Sequence, residues 1–154
     1  MNTLRLLLPF THGIDMGVLE YTVRLAKSCN AILIPLSLIH VSETRWSRGA
    51  RLEYVQQSKD FLEAMLYKAV KHGIPVERFE VFTSNVVQSI GVLAQQVECD
   101  GILLFVRGRD GILLSADEVE HLVEKRVRTL YIFHLAPKGN KRKQTLCLTE
   151  TISS

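Results

Sequence analysis

Two patterns of apolar positions take turns along this chain. Leu4-Arg5-Leu6-Leu7-Leu8-Pro9-Phe10 is a nearly unbroken apolar run, the pattern of a strand buried on both faces. Thr11-His12-Gly13 interrupts it, and Asp15 is placed to cap a helix in which Val18, Leu19, Thr22, Leu25 and Ala26 recur at helical spacing, with Cys29 extending the face. Ala31 to Val41 predicts a second buried strand, with Pro35 marking an irregularity in it. After polar Ser42 to Gly49, the positions Leu52, Val55, Leu62, Met65, Leu66 and Ala69 predict a long amphipathic helix, ended by His72-Gly73 with the glycine just past its last turn. Pro75 to Phe82 alternates as a third strand. Ser84 or Asn85 caps a helix over Val86 to Glu98, Gly101 to Val106 is a fourth strand, Asp117 to Arg126 a helix, and Thr129 to Leu135 the fifth strand.

Strands separated by helices are parallel, with right-handed crossovers that cover both faces. The order therefore predicts an α/β fold, an open doubly wound five-stranded parallel sheet in three layers, occupying residues 1–136 as one domain. Residues 137–154 read differently. Lys138, Lys141, Arg142 and Lys143 face a single Glu150, and this surplus equals the formal +3 of the whole chain, so residues 1–136 are neutral. The basicity belongs to the tail, and the folded part carries no general charge for nucleic acid. Low apolar content predicts that the tail is disordered, the alternatives being a basic hook for an acidic partner or an extra edge strand from Thr145-Leu146-Cys147-Leu148.

At 154 residues, 47% hydrophobic and 23% charged, the chain is of ordinary globular composition. No apolar stretch approaches the ~18 residues of a transmembrane helix, so no membrane insertion is expected. Met1-Asn2-Thr3-Leu4-Arg5 reads as the lead into a strand and not as a signal peptide. Cys29, Cys99 and Cys147 are odd in number and widely spaced, which points to reduced thiols in a cytoplasmic protein and not to a zinc site.

Ligands of open parallel sheets bind beyond the carboxyl ends of the strands. Three segments qualify: Thr11 to Asp15, His40 to Gly49, and Arg107-Gly108-Arg109-Asp110-Gly111. None contains a GxxxxGK[ST] loop, and no GxGxxG follows the first strand. A receiver domain would need acids after strands 1 and 3, where Thr11-His12 and Phe82-Thr83-Ser84 stand.

Val18-Leu19-Glu20-Tyr21 with Arg24-Leu25-Ala26, the strand end Leu38-Ile39-His40-Val41, and Asp100 to Leu104 followed by Arg107 to Gly111 together resemble the universal stress protein domain, over Leu4 to about Leu135. The resemblance implies that fold, and an adenine-nucleotide site using Gly, two residues, Gly, nine residues, then Gly and Ser or Thr. With Gly108 as second glycine, Phe105 takes the first place and Glu118-Val119 the last; with Gly108 and Gly111 as the pair, the end is His121-Leu122. Thr11 stands where the family has an acid. Phe105 is expected to fill the phosphate space and Glu118 to repel a polyanion, by ~1–4 kcal/mol at 4 Å. The resemblance also implies a homodimer through the edge of the strand at residues 130–135.

His12 reads as an exposed loop histidine and His40 as a hydrogen-bonded histidine in a buried strand. Arg107 and Arg109 either grip an anion or pair with Asp110, Asp117 and Glu118. Cys29 and Cys99 are expected to be buried, and Trp46 is a lid, a partner surface or a side chain packed back onto the domain. The leading reading is a non-catalytic regulatory or interaction module, dimeric, with no cofactor and with a protein partner. Its alternative is a binder of ATP or AMP through a rearranged loop, with Thr11, Val41, Gly108, Arg109 and Gly111 at the ligand. A nucleotide hydrolase comes third, because no acid/base pair or metal carboxylates converge from the strand ends.

Overall fold

Leu6, Leu8 and Phe10 enter one hydrophobic core and Leu7 the other, so the strand that carries them is buried on both faces. The computed structural model describes residues 3–42, 51–137 and 147–151. Along them run β1 (Arg5–Phe10), α1 (Met16–Ser28), β2 (Ile32–His40), α2 (Leu52–His72), β3 (Phe79–Thr83), α3 (Val86–Gln96), β4 (Gly101–Arg107), β5 (Asp110–Ile112), α4 (Ala116–Lys125), β6 (Leu130–Leu135) and β7 (Cys147–Thr151). The sheet order is β3-β2-β1-β4-β6-β7, with β5 paired to β4. β1 pairs in parallel with β2 and β4, as do β2 with β3 and β4 with β6. The expected parallel α/β sheet is present, with two antiparallel strands added to the five.

One core lies under α1 and α2, where Phe61, Met65, Val23 and Leu19 meet the sheet; the other lies under α3 and α4, around Ile90, Ala94 and Leu122. Phe10 stacks on Phe61 at 4.3 Å between ring centroids. The termini of the helices follow local chemistry. Asp15 caps α1 by accepting from the Val18 amide at 3.0 Å, and Asn85, not Ser84, caps α3 through the Gln88 amide at 3.1 Å. Gly73 ends α2 with φ of +69°, which a residue with a Cβ adopts only under strain. Pro35 has no amide to donate. On the β3 side the ladder lapses between the Leu33–Val76 bridge and the Leu36–Phe79 pair, without a change of register.

Two expectations need correction. Within the tail expected to be disordered, Cys147–Thr151 is an antiparallel strand on β6, with Leu130 opposite Thr151 and His134 opposite Cys147. β6 is therefore not the open edge of the sheet, and a contact between two β6 strands would have to replace β7. Trp46, Lys138, Lys141, Arg142 and Lys143 lie outside the described residues.

α1 and α2 are tied by one carboxylate. Glu20 accepts from Arg24 Nε, Lys68 Nζ and His72 Nε2, each at 2.9 Å. The Arg24 hydrogen bond, then that from Lys68, holds the Glu20 carboxyl down to about 2, and desolvation opposes them. A depressed carboxylate contributes stability that is complete above its unfolded value near 4.5 and is lost as pH falls toward 2. Glu20→Gln should cost about 1 kcal/mol at pH 7, since Lys68 is left part-buried without its anion, and lower the melting temperature by about 2–4 °C. Thermal melts from pH 7 down to pH 2 should show the two proteins converging.

Candidate functional site

The sheet reverses its winding at β1, which has β2 on one side and β4 on the other. That is the switch point where an α/β sheet opens a crevice for a ligand. β1 and β4 pair only at Leu6–Gly101 and Leu7–Ile102 and then part. Since β6 runs along the other edge of β4 from Ile102 to Arg107, the edge facing the gap is free for another strand. β5 takes it: Phe105 pairs with Ile112, Val106 with Gly111 and Arg107 with Asp110.

The residues read as a phosphate loop are thus a hairpin. Gly108-Arg109 is its two-residue turn, and Gly108, at φ +61°, is the residue that allows the tight reversal. At Gly111 a Cβ would collide with the backbone of Leu114 and Ser115, so this glycine serves close packing of the chain against itself. Leu113 is buried in a left-handed conformation, φ +73°, worth ~1–2 kcal/mol of strain for a side chain of its kind. The twist turns its carbonyl to the end of β1, where it accepts from the Thr11 amide at 2.8 Å, the His12 amide at 3.3 Å and Thr11 Oγ1 at 3.3 Å.

Glu118 completes the closure. Its Oε1 accepts from the Ser115 amide at 2.8 Å and from Thr11 Oγ1 at 2.9 Å, while Ser115 Oγ accepts from the Glu118 amide at 3.1 Å. This is a reciprocal cap on α4, announced in the sequence by Ser115-Ala116-Asp117-Glu118, a signature the sequence reading passed over. The single Thr11 hydroxyl proton is spent on these acceptors. His12 Nδ1 lies 3.0 Å from Thr11 Oγ1, within hydrogen-bond distance.

Among the described residues, three concavities adjoin the closed crevice. The first, about 590 Å³, is lined by His12, Asp15, Arg107, Gly108, Arg109 and Gly111, among others. The second, about 270 Å³, lies between Thr11, His12, Leu38, His40, Tyr54 and Glu118. The third, about 460 Å³, is bounded by His40, Asn85, Glu118, His121 and Lys125. The five expected ligand residues are placed as follows among the described residues. Gly108, Arg109 and Gly111 share the first concavity, Thr11 lines the second, and Val41, whose amide donates to the Thr83 carbonyl at 2.9 Å, lines none of the three.

Other expectations change with the geometry. Phe105 does not fill phosphate space; it is buried beneath α1, stacked on Phe133 at 4.9 Å and edge-on to Tyr21. The Arg107 side chain forms its ion pair with Asp15 and not with Asp110, Asp117 or Glu118 among the described residues. It donates from Nε to the Ala136 carbonyl at 3.1 Å and lies 3.8 Å from Asp15. His40 is exposed at the end of its strand and not a buried structural histidine, and Cys29 is exposed. Cys99 is buried as expected, and burial raises its thiol pKa. Among the described residues, no group of three His, Cys, Asp or Glu side chains is placed to hold a metal, and no helix is long and apolar enough to cross a membrane.

No protein-family model matches this chain, and no curated protein does. Solved structures do match. One from the universal stress protein family of Burkholderia pseudomallei superposes with a TM-score of 0.65, covering 83% of this chain and 93% of that chain at 13% identity. A universal stress protein from Archaeoglobus fulgidus gives 0.60 over 79% of this chain and 87% of that one, at 14% identity. This chain has the universal stress protein fold. A further structure of that fold, the A. fulgidus universal stress protein in complex with dAMP, gives 0.54 over 69% and 83% of the two chains at 14% identity.

If Thr11 and Glu118 bind the crevice shut, their contributions must be coupled. Thr11→Val and Glu118→Gln should each destabilise by about 1 kcal/mol, and the double variant should lose less than the sum. A double-mutant cycle by denaturant unfolding reads the difference; strict additivity would show that the hydrogen bond carries no weight.

Proposed function

We propose that this chain is a non-catalytic regulatory or interaction module on the universal stress protein fold, which does not take adenine nucleotides at the crevice where the sheet reverses. One observation carries the reading: the chain fills that crevice itself. The Leu113 carbonyl takes the Thr11 and His12 amides, and the Glu118 carboxylate takes the Thr11 hydroxyl. A nucleotide there would have to displace the two amide hydrogen bonds to Leu113 and approach a carboxylate already held in place. Two acids elsewhere are engaged in structural pairs, Glu20 with Arg24, Lys68 and His72, and Glu77 with Arg5. That pattern supports a module without acid/base chemistry. A cytoplasmic setting fits the same reading.

A second reading has one specific observation in its favour. The concavity of about 590 Å³ gathers Arg107, Arg109 and His12 around Gly108 and Gly111, and Arg107 is mostly buried there with a side-chain exposure of 14%. An adenine nucleotide bound at this place would put its phosphates on the hairpin turn, and the relative that binds dAMP shows that the fold is compatible with such a ligand.

Thermal-shift titration with ATP, ADP and AMP, with and without magnesium or manganese, separates the two. Ligand at ~100 times its dissociation constant adds about 2.7 kcal/mol, or several degrees here. The module reading expects no saturable shift up to millimolar nucleotide. A saturable shift abolished by Arg107→Ala or Arg109→Ala would establish the second reading in its place.

A further inference from the structure

One end of the sheet is β3, which pairs with β2 alone. The Glu77 amide donates to the Leu33 carbonyl at 2.9 Å, and the Thr83 carbonyl accepts from the Val41 amide at 2.9 Å, so odd-numbered residues here turn their backbone groups to β2. Direction alternates along a strand. Arg78, Glu80 and Phe82 therefore turn theirs outward, to an edge with no strand on it among the described residues. Above that edge lies one flank of α2. The stripe of α2 buried against the sheet is Ser58, Phe61, Met65 and Ala69. Lys68 and His72, on one side of it, meet Glu20 of α1, while Ser58 Oγ donates to Glu80 of β3 at 2.6 Å. Helical spacing puts Leu52, Val55, Lys59, Leu66 and Val70, all apolar but the lysine, on the other side, away from α1 and toward β3. Leu52 is 82% exposed, Val70 70%, and Phe82, on the same face of the sheet, 54%.

We propose that the β3 edge is a docking surface for a second copy of this chain, joined β3 to β3 in antiparallel about a two-fold axis at Phe79. Outward-turned residues bond only to outward-turned residues, so the registers that overlap most of the strand are centred on Phe79, Glu80 or Val81. Centred on Glu80, the ladder opposes two carboxylates; centred on Val81, it sets Glu80 against Phe82. Centred on Phe79, it sets Arg78 of each copy against Glu80 of the other, with the two Phe79 residues between these pairs. Charges on an edge ordinarily deter pairing. These two, of opposite sign and two residues apart, favour one register of the edge with itself.

The axis stands perpendicular to the sheet, so both copies of α2 fall on the same face and run antiparallel to one another. The flanks that carry Leu52, Val55, Leu66 and Val70 then face each other across the joined strands, and Phe82 comes opposite Val76 of the other copy. A strand of any protein would satisfy the backbone groups of the edge. The reciprocal charge pairs and the twin apolar flanks fit this chain's own edge. Neither the crevice nor β6 takes part, so the pairing is independent of whether a nucleotide binds.

Sedimentation of the full chain at ~10 and ~100 µM tests it, and the parent should shift toward dimer across that range. Arg78→Glu and Glu80→Arg each set like charges opposite one another and should weaken association at least about tenfold. An equimolar mixture of these two variants restores opposite charges at both pairs and should associate as the parent does. Val70→Glu, on the flank of α2, should weaken association by a similar factor. A parent that stays monomeric at ~100 µM overturns the proposal. So does a dimer indifferent to Arg78→Glu, which would place the contact on another surface, and so does a mixture no more associated than its components. Glu80→Arg also takes away the acceptor of Ser58. Should that variant fail to fold, Val70→Glu decides: association weakened at least about tenfold supports the pairing, and unchanged association refutes it.

Discussion

Where β1 and β4 part company beyond Leu7 and Ile102, backbone groups are exposed at the head of the sheet, and a buried amide without a partner costs ~1–3 kcal/mol. In open α/β sheets this is where a ligand supplies the missing partners. Here β5 turns back into the gap, and the segment after it presents the Leu113 carbonyl to β1. Much else at that end follows from the fit. Gly108 is needed for the reversal, Gly111 for close approach to Leu114 and Ser115, and the strained φ of Leu113 for the direction of its carbonyl. The strain of one residue is offset by the Thr11 and His12 amide hydrogen bonds to its carbonyl.

The same closure changes what the nearby charges do. Glu118 looks, in sequence, like a repulsive group at a phosphate site. In the structure it has a partner on each side, the Ser115 amide and the Thr11 hydroxyl, and its charge is used on the first turn of a helix, where a negative charge is favourable. Arg107 is likewise drawn away from the turn, toward the Ala136 carbonyl and Asp15.

The layers of the fold were legible in the sequence because burial on both faces leaves a period that survives without context. Leu4 to Phe10, Ala31 to Val41 and Gly101 to Val106 are read correctly as core strands for that reason. What was not legible depends on partners remote in sequence or on few residues. β5 is three residues long, too short for any period to register, although Gly108 at a two-residue turn before Asp110-Gly111-Ile112 is a hairpin signal. β7 is polar and finds its stabilisation in the β6 ladder, so its composition resembles that of a tail. Phe105 was placed at a ligand site by counting along a motif. Strand alternation puts it with Leu103 on the α1 face instead. Thr11 and Glu118 meet across 107 positions, which no local pattern announces.

The strand order has a consequence for how the chain is made. β1, β2 and β3 with their helices come from the first part of the sequence and form one flank of the sheet, while β4, the neighbour on the other side of β1, begins only at Gly101. During synthesis from the N-terminus, the inner edge of β1 has no partner until two-thirds of the chain has been made. The segment that seals the head of the sheet follows within a few residues of β4 itself. The seal is therefore laid down together with the strand that creates the gap.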